Sequence, residues 1–393
     1  MIQNKLAIFG GKPVGKIPFI KPSPLSKLEI NAANDVLKSG LLSRAGHGPI
    51  VKDFEKNFAR YHDVKYAIST TSGTTALHTA ICALGIGQGD EVLVPALTFV
   101  STASVILQEK ATPVFVDIKP SDFCMNSIEI ERKITKKTKA IIVVHLYGHP
   151  ADMDAILKIA KKYNIIVIED CAQAHGAKYK QKLVGTLGDI GCFSFYQTKN
   201  MTCGEGGMII TNNKNIFRDC VALVNHGQLK DVVKTYDYDR IGFNYHMTEL
   251  QATIGNVQLT RLETMNQERR INASLYRSLL KDTELQLQED VGEIEHVYYS
   301  LTALLPLSFT KKRNWFLDAM NKENCELNRI YPIPLNKTSL FKPLGQSCPK
   351  AEDVCARLFN FYVNPGIKRK TIINTCKAVK KILLYLKKEH ETR

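Results

Sequence analysis

Between residues 65 and 212 the chain alternates short apolar runs with stretches of helical periodicity, and few folds accept that pattern. YAIST (66–70) leads into SGTTALHTAICALG, where Ala76, Leu77, Ala80, Ile81 and Leu84 fall on one helical face. EVLVP, a helix around 100–109, TPVFVDI and AIIVVHLYG follow, then the helix ADMDAILKIAKKYN and the run NIIVIED. Strands that alternate with helices imply βαβ units and a mainly parallel sheet. VLVP and IIVIED are apolar at nearly every position, as strands covered on both faces must be. The glycine-rich GEGGMIITNN closes the region with one more strand.

The texture changes after Thr248. TELQATIGNVQLTRLETMNQERRINASLYRSLLKD predicts one or two long helices, a natural link from a larger to a smaller domain. Beyond it come a strand in YYSLTALLPL and a helix in NWFLDAMNKEN. The basic tail from Lys368 to Arg393 places Ile372, Ile373, Val379, Ile382, Leu383 and Leu386 as the apolar face of an amphipathic helix. A chain of 393 residues exceeds one ordinary core, so two domains are expected, residues 1–255 and 256–393.

The net charge of +15 raises the question of nucleic acid. Much of the excess lies in RKITKKTKA and in the tail, where lysines face water, and no zinc-finger, aromatic RNA-binding or basic-zipper pattern accompanies it. Attraction of anionic small substrates is at least as good a use for the charge, and no nucleic-acid partner is expected. Ten cysteines are scattered without C-x-x-C spacing, and H-E-x-x-H is absent, so no metal is expected and the thiols should be reduced and buried. No apolar run is long enough to span a bilayer, and the opening MIQNKLAIFGGKP lacks the apolar stretch of a signal peptide. A cytoplasmic protein without membrane partners is the expectation.

In an open α/β sheet, ligands bind beyond the carboxyl ends of the strands. Three polar clusters fall at such ends. TTSGTTA (70–76) joins a strand to a helix, where Gly73 permits close approach and the helix start offers N–H groups to a phosphate; an ordinary helix cap reads the same way. EDCAQAHG (169–176) places Asp170 just past a buried strand, where an unpartnered carboxylate is costly. SFYQTKNMTCGEGG (194–207) carries Ser194 and Lys199 into a glycine-rich turn. Singly, each is consistent with a cap or a surface loop. Together, a phosphate cup, a carboxylate and a lysine are the parts needed to hold pyridoxal phosphate. The phosphate needs donors, the pyridine nitrogen an anion, and the aldehyde an amine.

Between about residues 25 and 370 the chain resembles the DegT/StrS family of sugar aminotransferases. The resemblance rests on SGTTALHTAICALGIGQGDEVLVPALTFVSTAS, VVHLYGHPADMDAI, IEDCAQAHGA, GDIGCFSFYQTKN, GEGG and GFNYHMTELQATIG. It implies fold type I of the pyridoxal-phosphate enzymes, with a seven-stranded, mainly parallel sheet between helices and a smaller C-terminal α/β domain. It implies Lys199 as the lysine that bonds the cofactor, Asp170 as partner of the pyridinium nitrogen and Gln173 as partner of the ring hydroxyl. Phe99 matches the aromatic that stacks on the ring; Gly73, Thr74 and Ser194 match the phosphate binders. Asn244 matches an asparagine that reaches the partner subunit's cofactor, which implies a homodimer with shared active sites.

The reaction so implied is a transamination from L-glutamate or L-glutamine to a keto sugar, nucleotide-linked, with a free keto sugar or keto-cyclitol as the alternative. The family's sugar dehydratases are a further possibility, but some replace the lysine by histidine, and Lys199 is present. A non-catalytic regulator could lose Lys199 or Asp170; both are kept. His145, His175 and Tyr147 lie beside matching motifs and are read as structural, and Glu205 as fixing its loop. One departure stands out: after YPIPL the family commonly has histidine, whereas this chain has Asn336.

Overall fold

The computed structural model describes residues 5–43, 48–228, 238 and 240–391. Its centre is a seven-stranded sheet in the order Tyr66–Thr70, Gly207–Thr211, Ile190–Ser194, Ile166–Asp170, Thr138–Val144, Glu91–Pro95, Thr112–Val116. Every pairing among the last five strands is parallel, and only Gly207–Thr211 runs against its two neighbours. The mainly parallel sheet expected from the apolar runs is therefore present. Its strands are buried almost throughout, with helices packed on both sides of a core that includes Leu77, Val94, Phe115 and Ile142. Because the sheet is parallel, the carboxyl ends Thr70, Pro95, Val144, Asp170 and Ser194 share one edge. Gly207 begins the antiparallel strand at that same edge, in register with both Thr70 and Ser194.

Past this sheet a single uninterrupted helix runs from Glu249 to Leu280. Thr248 starts it with a capping box, its hydroxyl accepting from Gln251 N–H at 3.2 Å while the Gln251 side chain accepts from Thr248 N–H at 2.9 Å. Residue 255 thus lies inside one helix, whose first half packs on Phe54 and Phe195 and whose second half, Ala273, Tyr276 and Leu280, belongs to another core. That second core joins the strands Leu301–Leu304 and Leu358–Phe361, the helices Arg313–Lys322 and Arg369–Glu391, and, from the other end of the chain, Leu6. The tail helix buries Ile372, Val379, Ile382, Leu383 and Leu386 as its periodicity requires, whereas Ile373, expected on the same face, is only partly buried. Several of its lysines do more than face water. Lys380, Lys381 and Lys387 pair with Asp282, Glu323 and Glu284 at 2.7–2.8 Å.

All ten cysteines are free, nine of them buried. Among the described residues no helix is long and apolar enough to cross a membrane.

Candidate active site

The polar edge of the sheet opens into a cavity of about 570 Å³. At one end the helix Gly73–Ala83 begins. Ser72 caps it, accepting from Thr75 N–H at 3.1 Å, and its carbonyl takes Ala76 N–H, so the helix-cap reading of this stretch is correct. Gly73 and Thr74 N–H, at the first two helical positions, keep no acceptor among the described residues and remain available to an anion. A Cβ on Gly73 would lie 2.5 Å from Ser194 Cβ, so only glycine lets the helix start approach the end of the Ile190–Ser194 strand this closely. The Thr74 and Ser101 hydroxyls share a hydrogen bond of 2.7 Å on the same wall. Gly73, Thr74 and Ser194 are brought together as expected.

Asp170 ends a strand that is buried from Val167 onward and is itself 5% exposed. Its Oδ2 accepts from the Thr102 hydroxyl at 2.8 Å and its Oδ1 from Ala172 N–H at 3.1 Å. Burial raises its carboxyl above the usual range, while these donors and the charge of Lys199 oppose the rise. Directly before it, Glu169 points to the other face and serves structure. Its two oxygens accept from His145 Nε2 at 2.9 Å and from the N–H groups of Gly185, Leu187 and Gly188 at 2.6–2.8 Å. His145 in turn accepts from Ala151 N–H through Nδ1 at 3.0 Å, so both ring nitrogens are used in packing.

Lys199 sits in a tight turn closed by its own N–H to the Tyr196 carbonyl, 2.9 Å. Burial pushes its amine down to about 8, against the pull of the Asp170 and Glu205 carboxylates. Its Nζ lies 5.2 Å from the centre of the Tyr299 ring, and the Tyr299 hydroxyl bonds Thr198 Oγ1 at 2.9 Å. Such an amine is partly neutral near neutral pH, the state in which it can act as a nucleophile or a base.

Gln173 and Phe99 also line the cavity. The Gln173 carbonyl accepts from Tyr147 N–H and its amide donates to the Tyr331 hydroxyl, each at 2.7 Å. Tyr147 is wholly buried with φ of 58°, a conformation that a non-glycine residue adopts only under tertiary constraint. Phe99 is 53% exposed, its ring 6.3 Å from that of Tyr331. Asn244 does not reach this cavity; it lies exposed, bridged by its backbone to Asn225. His175 is buried against Phe193 and Phe195 and held neutral, burial and then Lys199 driving it down to about 3. Glu205, read as a loop residue, lines the cavity as well.

Asn336 is 2% exposed and donates to Gln346 O and Glu352 Oε1 at 3.2 and 3.1 Å, away from the cavity wall. From its segment, Ile330 and Tyr331 contribute instead. Sequence reasoning missed Thr102, Tyr299 and Tyr331. Thr102 was within reach, since it stands three residues after Phe99 on the helix Ser101–Gln108. The two tyrosines arrive from distant chain with no local pattern to mark them.

Residues 24–380 match the family described as the DegT/DnrJ/EryC1/StrS aminotransferase family. A GDP-perosamine synthase of Escherichia coli O157:H7 is 38% identical over 365 residues, 92% of this chain and 97% of the relative. An L-glutamine:2-deoxy-scyllo-inosose aminotransferase of Micromonospora echinospora is 37% identical over 308 residues, 75% of this chain and 73% of the relative. Among solved structures, the PLP form of a putative sugar aminotransferase from Streptococcus pneumoniae is similar with a TM-score of 0.86 at 28% identity. That likeness covers 93% of this chain and 98% of that one.

Proposed function

The chain belongs to the DegT/DnrJ/EryC1/StrS aminotransferase family, and we propose that its cavity holds pyridoxal phosphate and moves an amino group from L-glutamate or L-glutamine to a nucleotide-linked keto sugar. One observation carries the reading. A partly neutral lysine, a buried carboxylate and a glycine-opened helix start line one cavity of about 570 Å³. The group fits these residues, for the free N–H groups of Gly73 and Thr74 with Ser194 suit a phosphate, and buried Asp170 suits a cationic ring nitrogen.

When bound, pyridoxal phosphate supplies an aldehyde and an electron-withdrawing ring. The protein's part is holding and proton transfer. Thr102 and Ala172 N–H aim the Asp170 carboxylate. Phe99 would flank the ring, and Gln173, already oriented by Tyr147 and Tyr331, would offer its amide to the ring hydroxyl. Lys199 Nζ, lowered toward 8, would hold the cofactor through its aldehyde carbon and, when free, would carry the proton from the donor's α-carbon to that former aldehyde carbon. The GDP-perosamine synthase supports a nucleotide-linked sugar as acceptor, and the scyllo-inosose aminotransferase keeps a keto-cyclitol as the second reading.

Asn244, exposed and away from its own cavity, supports a homodimer in which it reaches the partner's site. The protein would work in the cytoplasm.

The test is an absorbance scan of protein reconstituted with pyridoxal phosphate, before and after L-glutamate, with borohydride labelling mapped by mass spectrometry. A visible cofactor band that glutamate or glutamine bleaches, with label on Lys199, is expected. No band after reconstitution would end this reading.

A further inference from the structure

A second cavity, of about 260 Å³, meets the first at Thr198 and Lys199. Its walls come from the loop at Lys21, the turn at Asn200, the middle of the long helix and the segment at Asn364. One of its cations, Arg261, is already paired, with Glu29. Glu268 accepts from Gly366 N–H at 3.1 Å and keeps its charge, which pulls on Arg269 from beyond ion-pair distance. Lys21 and Arg269 have no carboxylate partner among the described residues.

Arg269 is 3% exposed. Among the described residues its Nη1 donates only to the carbonyls of Tyr298 and Tyr299, at 3.3 and 3.4 Å, long for bonds from a charged donor, and its buried Nε has no partner. Burial lowers the guanidinium to about 10, and Lys21, exposed at the same cavity, is lowered by desolvation and then by Arg269 itself. A buried cation served by neutral, distant acceptors is a costly arrangement unless an anion completes it. Tyr299 links this cation to the reacting region, its carbonyl on Arg269 and its ring beside Lys199 Nζ.

We propose that Arg269, with Lys21 beside it, forms an oxyanion subsite next to Lys199 that seats a carboxylate or phosphate group of a substrate. It rests on the aminotransferase reading, and covalent distance favours one source. An amino-acid donor carries its carboxylate one bond from the carbon that Lys199 deprotonates, whereas a nucleotide-linked sugar carries its phosphates several bonds from the reacting carbon.

The experiment titrates the holoenzyme with glutarate, L-glutamate, inorganic phosphate and pyrophosphate by calorimetry. Wild type is compared with Arg269→Met, Arg269→Lys and Lys21→Ala. Glutarate and L-glutamate should bind about tenfold or more weakly to Arg269→Met and less severely so to Lys21→Ala, with Arg269→Lys between. A loss confined to phosphate and pyrophosphate would keep the subsite and make phosphate its source. Equal affinities for all four probes in Lys21→Ala and Arg269→Lys, which disturb packing least, would overturn it. Borohydride labelling of Lys199 in the same samples reports the aminotransferase reading separately, since none of the three substitutions replaces the attachment residue.

Discussion

Thr102 donates its hydroxyl to Asp170 Oδ2 at 2.8 Å, at a place where both side chains are buried and one other donor, Ala172 N–H, serves the carboxylate. The bond lowers a carboxyl that burial pushes up. Thr102→Val should therefore raise it further and move the pH at which Asp170 ionises upward. The acid limb of the activity profile should shift to higher pH, and kcat/KM at neutral pH should fall about tenfold. Thr102→Ser should restore both. A profile unmoved in Thr102→Val would show that Thr102 does not govern Asp170.

Lys199 permits a test that needs no cofactor. Its folded amine stands near 8 against 10.5 in the unfolded chain. Between these values the unfolded state binds more protons, so the stability of the cofactor-free protein should rise with pH, and the penalty is complete below 8. Lys199→Met should thus stabilise the cofactor-free protein below pH 8 by on the order of 2 kcal/mol, an advantage that fades as pH approaches 10.5. Denaturant titrations at pH 7 and pH 10 read the difference. The same variant should lose activity about a thousandfold and take no borohydride label.

Gly73→Ala places a methyl 2.5 Å from Ser194 Cβ, where neither helix nor strand can retreat cheaply. A loss of about 1–3 kcal/mol is expected, with weaker retention of pyridoxal phosphate on dialysis. Adding Ser194→Gly removes the 2.5 Å contact but leaves the residue 194 Cα at 3.2 Å, so it should recover part of the stability and none of the cofactor affinity.

Glu169 and Asp170 are adjacent acids with opposite duties. Glu169→Gln turns one acceptor oxygen into a donor facing backbone N–H groups, and should cost about 2–4 kcal/mol in chemical denaturation. Asp170→Asn should leave stability nearly unchanged or improved and abolish turnover. Opposite results would mean that their roles had been exchanged.

Much of this was readable in the linear chain, for physical reasons that particular residues show. Strands such as IVIED are short, apolar on both faces and flanked by helical periodicity, and that combination has few folded solutions beyond a covered parallel sheet. Once the sheet is parallel, its carboxyl ends share an edge, so Gly73, Asp170, Ser194 and Lys199 had to become neighbours. Local patterning also sufficed for the buried face of the Arg369–Glu391 helix. What the tertiary structure alone decided comes from contacts between remote segments. Residue 255 became the inside of a single helix because both cores claim one face of it. Asn336 turned into packing, while Tyr331, five residues earlier, reached the cavity. Tyr299 and Arg269 acquired their meaning only when the second core set them beside Lys199, for charge, burial and hydrogen bonding depend on neighbours in space that chain order does not specify.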